Sequence, residues 1–129
     1  MHRLCLLLDF MAVKPTIVIV EDDKAVRESL RMVLETYGFM VEDFASGEAF
    51  LDQGEIGGER FVVIGNGLPG VSGIEALRQM RRRNVGLPAV LVSGGGNPGL
   101  ATQARRVGAL ALLDKPIDMS IPKVNMISF

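Results

Sequence analysis

Two spacings of apolar residues alternate along this chain. Thr16-Ile17-Val18-Ile19-Val20 is an unbroken β-branched run, the pattern of a strand covered on both faces. In the next stretch Val26, Leu30, Val33, Leu34 and Tyr37 recur at three- and four-residue spacing. That predicts a helix over 24–37, capped by Asp22 or Asp23 and stopped at Gly38. A second strand is expected at 40–44. Ser46 then caps a short helix running to residue 53, with Ala49 and Phe50 turned inward. The alternation continues with a strand at 61–64 and a helix over 74–83 that turns Ile74, Leu77 and Met80 inward. A strand at Ala89–Ser93, a helix at 100–107 ended by Gly108, and a strand at 109–114 complete it.

Strands separated by helices are joined by right-handed crossovers, which predicts an α/β fold: a doubly wound five-stranded parallel sheet with helices on both faces. The ending departs from this pattern. A last helix should cover the fifth strand, yet Pro122 interrupts the stretch after residue 116. Val124, Met126, Ile127 and Phe129 form no long helical stripe there. The expectation is a truncated or altered last helix that leaves part of one sheet face poorly covered. Such a face invites a partner, a homodimer included. Residues 1–13 read as an N-terminal extension with Met11 as the natural start, 14–118 as the folded domain, and 119–129 as an irregular C-terminal tail.

Composition narrows the chemistry. The chain has 129 residues, enough for one domain with one sizeable core, and a formal net charge of −1. No general attraction to nucleic acid or to a membrane surface follows from that charge. His2 is the only histidine and Cys5 the only cysteine. Histidine-based zinc sites, Ser-His-Asp catalysis and internal disulfides are thereby excluded. The apolar stretch 4–13 is interrupted by Asp9 and is too short for a bilayer, which takes about 20 residues. The expected location is cytoplasmic.

A parallel sheet puts its chemistry where the strand ends share an edge. Glu21-Asp22-Asp23 follows the first strand, Ser93 ends the fourth, and Lys115-Pro116 follows the fifth. Neighbouring carboxylates suit a hard divalent ion such as Mg²⁺, and a hydroxyl and an ammonium can each hold a phosphoryl oxygen. The third strand delivers Gly65 to the same edge, and Gly65 has no side chain. A pocket of this kind transfers phosphate onto a carboxylate, and none occurs in Phe61-Val62-Val63-Ile64-Gly65-Asn66-Gly67.

From about residue 16 to 118 the chain resembles the receiver domain of bacterial two-component response regulators, a flavodoxin-like fold. It looks most like the group found in nitrogen-fixation-type regulators. The resemblance rests on Ile17-Val18-Ile19-Val20-Glu21-Asp22-Asp23, on Leu68-Pro69-Gly70-Val71-Ser72-Gly73, on Val92-Ser93-Gly94, and on Gly108-Ala109 with Lys115-Pro116. It implies that Glu21 and Asp22 hold Mg²⁺ together with the backbone carbonyl of Gly67. It implies that Ser93 and Lys115 contact the phosphoryl group, and that Pro116 follows a cis bond that aims the lysine.

Two departures matter. The family's phospho-acceptor aspartate falls at Gly65, and its switch aromatic at Leu112. The resemblance therefore implies a degenerate, non-enzymatic signalling module of a two-component phosphorelay. Its Mg²⁺ site is weakened, and it acts by phosphorylation-independent binding to a histidine kinase or another regulator. Its contact surface would be the fourth helix, the fifth strand and the C-terminus. The alternatives are a small-molecule or flavin-binding protein of the same topology, or a non-functional receiver fragment.

Overall fold

A computed structural model describes residues 15–53, 59–83, 86–95, 97–115 and 126–128. Its strands are β1 (Thr16–Val20), β2 (Val41–Phe44), β3 (Arg60–Gly65), β4 (Ala89–Ser93), β5 (Ala111–Asp114) and β6 (Met126–Ser128). Its helices are α1 (Lys24–Thr36), α2 (Gly47–Asp52), α3 (Gly73–Arg82) and α4 (Leu100–Arg106). The sheet order is β2-β1-β3-β4-β5-β6, and β1 to β5 pair in parallel as the strand–helix alternation predicts.

Alternate residues of each strand feed two cores, one on each face. Val18, Val20, Val62, Ile64, Leu91 and Leu112 pack with α2, α3 and α4. Ile17, Ile19, Phe61, Val63, Val90, Val92 and Leu113 form the other core, with Leu30 and Leu34 of α1. Burial on both faces is why the central strands are continuously apolar rather than alternating, while the edge strand β2, with Glu42 and Asp43 half-buried, is not.

The caps behave as local chemistry requires. Asp23, not Asp22, caps α1: its Oδ1 accepts from the backbone N–H of Ala25 at 2.9 Å and of Val26 at 3.2 Å. Ser46 Oγ accepts from Ala49 N–H at 3.0 Å to start α2. Because α2 has fewer than two turns, that cap is a large part of what holds it. Ser46→Ala is expected to lower stability by about 1 kcal/mol, read as a reduced urea midpoint at unchanged slope. At Gly73 the first turn of α3 meets β3 so closely that a Cβ would collide with the Gly65 carbonyl oxygen and lie 2.9 Å from Leu91 Cδ1. This glycine sets how closely α3 can approach the sheet.

Several expectations need correction. Tyr37 is the C-cap residue of α1 rather than part of its stripe and is exposed, as is Val26 in the first turn. In α2 the inward face is Gly47, Phe50 and Leu51, at spacings of three and four, which leaves Ala49 exposed. Most of the stretch expected to hold a truncated or altered last helix lies outside the described residues; its described part, 126–128, forms a strand antiparallel to β5 and pairs Leu113 with Met126. β5 is therefore not the open edge, and the argument for a homodimer through that strand falls away. Nor is the sheet face poorly covered at β4 and β5, where Val90, Val92, Ala111 and Leu113 are all buried. The proposed extension 1–13 lies outside the described residues, as does most of the tail 119–129.

Candidate functional site

The order β2-β1-β3 reverses direction at β1 and β3, and in open parallel sheets the crevice beyond such a reversal is where ligands bind. Glu21 leaves β1 and Gly65 ends β3 at this point. Glu21 is one of two polar residues buried in the described core; the other is Ser93, at the end of β4. Backbone bonds draw the neighbouring ends together. Asn66 N–H donates to Val92 O at 2.8 Å, and Lys115 N–H donates to Ser93 O at 2.7 Å.

The acidic triplet divides into three roles. Glu21 Oε1 pairs with Lys115 Nζ at 2.6 Å, and its Oε2 accepts from Asp23 N–H at 3.0 Å. Asp22 is exposed. Asp23 is the helix cap. Arg27 braces the turn by donating to the Glu21 carbonyl at 2.8 Å. Ser93 Oγ accepts from Gly95 N–H at 3.0 Å, which positions its hydroxyl at the start of the β4–α4 loop. Gly67 is exposed in the loop after β3, and Pro116 lies outside the described residues.

Gly65 has room for a side chain. A Cβ there would sit 3.6 Å from the Val20 carbonyl oxygen, 3.7 Å from Glu21 Oε1 and 3.7 Å from Leu68 Cδ2, all ordinary contacts. Glu21, paired with Lys115, thus faces the position that Gly65 leaves without a side chain.

The residues present do not fit a Mg²⁺ centre. Such an ion requires near-octahedral oxygen donors. The buried carboxylate already carries an ammonium on one oxygen and an N–H on the other. Gly65 offers no side-chain oxygen, and no cluster of three metal-ligating side chains occurs among the described residues.

An ion network beside this edge escaped the sequence reading. Arg31 Nη1 lies 2.6 Å from Asp43 Oδ2 and Arg27 Nε 3.8 Å from Asp43 Oδ1. The hydrogen bond to Asp43 raises the Arg31 pKa above its usual value. The available signals were the four-residue spacing of Arg27 and Arg31, and the polar pair Glu42-Asp43 in an otherwise apolar strand.

A family description, the response regulator receiver domain, matches residues 17–121. The chain belongs to this family. The receiver is 37% identical over 100 residues to the transcriptional regulatory protein FixJ of Azorhizobium caulinodans, covering 78% of this chain and 47% of that protein. It is 36% identical over 110 residues to FixJ of Bradyrhizobium diazoefficiens, covering 84% and 53% respectively. It spans about half the length of these relatives. Among solved structures it resembles the crystal structure of FixJ-N, with a TM-score of 0.77 at 30% identity, over 84% of this chain and 86% of that one. It also resembles the response regulator StyR, with a TM-score of 0.76 at 35% identity, over 82% and 54%. No helix among the described residues is long and apolar enough to cross a membrane.

Proposed function

We propose that this receiver signals by binding a protein partner without being phosphorylated at the family's usual position. The observation that carries the reading is the end of β3. Gly65 supplies no carboxylate, and Lys115 is engaged at 2.6 Å by the buried Glu21 beside it. Aspartyl phosphorylation forms a bond from a carboxylate oxygen to phosphorus, and no side chain at this position can make it. The module is therefore a non-enzymatic, degenerate receiver.

Leu112 supports the same reading. It is buried among the residues that pack on α3 and α4, so no aromatic ring at this position can report on the pocket by moving. The partner is a histidine kinase or another regulator. Its contact surface is the side of the sheet formed by α4 and β5, where Leu110 is exposed. The setting is cytoplasmic, as in a phosphorelay.

Incubation with acetyl phosphate and Mg²⁺ tests this directly. Intact-mass measurement is expected to show no phosphoryl increment, and added Mg²⁺ alone is expected to leave the thermal midpoint unchanged. Stoichiometric labelling of the unaltered chain would overturn the proposal.

A further inference from the structure

Outside the Glu21–Lys115 pair, a broad cleft lies between α3 and α4 and reaches Asn66 just beyond β3. The cleft offers about 900 Å³, a size ordinary for small-molecule sites. Arg78 and Arg82 line it from α3, and Gln103 and Arg106 from α4. Buried Ile74 and Val107 add apolar surface.

Helix ends account for part of this composition, because arginines in the last turns of α3 and α4 oppose the negative ends of their dipoles. They do not account for both helices presenting these groups to one cleft. Arg81 fixes the arrangement. Its Nε donates to Val107 O at 2.9 Å, its Nη1 to Leu87 O at 2.9 Å and its Nη2 to Gly108 O at 3.3 Å. These bonds tie the last turn of α3 to the α4–β5 turn and so hold the walls at a set separation.

Charge in the cleft is unbalanced. Among its lining residues Glu75 is the one carboxylate, against Arg78, Arg81, Arg82 and Arg106. Glu75 lies 2.5 Å from Arg78 and 3.9 Å from Arg82. Hydrogen bonds from Arg78 and then Gln79 hold its pKa below the usual carboxylate range, so it stays ionised and neutralises no more than a single charge. The Arg82 side chain remains 69% exposed and Arg106 is exposed on the facing helix. Two planar guanidinium groups on opposite walls suit the oxygens of a phosphate, which they can bind in bidentate fashion.

We propose that this cleft binds a small phosphorylated molecule, its phosphate oxygens held between Arg82 and Arg106. Gln103 offers a neutral hydrogen bond beside them, and the apolar lining receives the remainder of the ligand. The proposed phosphate contacts, Arg82, Arg106 and Gln103, lie outside the Glu21–Lys115 pair, although the cleft also reaches Asn66 beside Gly65.

Calorimetric titration of the full chain at constant ionic strength tests it, with pyrophosphate and ADP as probes. Saturable binding is expected for at least one probe. Affinity should fall by about tenfold or more in Arg82→Ala/Arg106→Ala, with the far-UV dichroism unchanged, and should persist in Lys24→Ala, which removes an exposed cation at the start of α1. Tighter binding of ADP than of pyrophosphate would identify a nucleotide-like ligand, and equal binding a simple phosphate ligand. Absence of saturable binding overturns the proposal. So does binding that survives the double substitution or disappears in Lys24→Ala, and so does tighter binding of an oligoglutamate peptide than of either probe.

Discussion

Gly65→Asp is expected to take up a phosphoryl group from acetyl phosphate in the presence of Mg²⁺, where the parent chain takes up none. The backbone already accepts the new side chain, since a Cβ at this position meets its nearest neighbours at 3.6 to 3.7 Å. The new carboxylate would enter beside Glu21 and within the neighbourhood of Lys115, which lies 2.6 Å from Glu21 Oε1. One of its oxygens would attack the phosphorus of acetyl phosphate, forming an acyl phosphate and releasing acetate. Lys115 would gain an anionic partner in the phosphoryl group, and the Ser93 hydroxyl stands at the adjoining strand end.

The same substitution places two carboxylates side by side. Without a cation it is expected to lower the thermal midpoint, and Mg²⁺ is expected to restore it. Gly65→Asn separates the effects: it has nearly the same volume, less repulsion and no nucleophile. Its midpoint should stay near that of the parent and its mass should not change. If Gly65→Asp folds, responds to Mg²⁺ and still takes no label, the missing carboxylate is not the sole lesion in this pocket.

How much of this edge was legible in the chain depends on the range of the interactions involved. The four central strands follow from uninterrupted apolar runs, and the cap at Ser46 from a side chain reaching three residues ahead; both are local. The gap at Gly65 is legible for the same reason. The division of Glu21-Asp22-Asp23 is not, because three adjacent carboxylates look alike until strand pairing buries one of them. The strand at 126–128 was hidden for a related reason. Three residues carry almost no periodic signal, and their conformation is decided by the open edge of β5. The arginines of the α3–α4 cleft read singly as solvated helix ends, and packing of the helices brings them together.

The second large effect is expected at Lys115. Glu21 keeps only 6% of its side-chain surface in water, while Lys115 keeps 34%. Lys115→Met preserves the length of the side chain and removes its charge, which strands a buried carboxylate with the Asp23 N–H as its remaining described side-chain contact. Removing one member of a fully buried pair destabilises by about 3–5 kcal/mol. Partial exposure of the lysine lets water take up some of its role, so a loss of about 2 kcal/mol is expected in urea titration. Glu21→Gln is the milder change, because the freed ammonium can turn to solvent. The pairing predicts that Glu21→Gln/Lys115→Met is more stable than the two single losses would sum to, by roughly 1 kcal/mol or more. Strict additivity would mean that the two groups do not hold each other in solution. The engagement of Lys115 by Glu21, one support of the proposed phosphorylation-independent function, would then have to be abandoned.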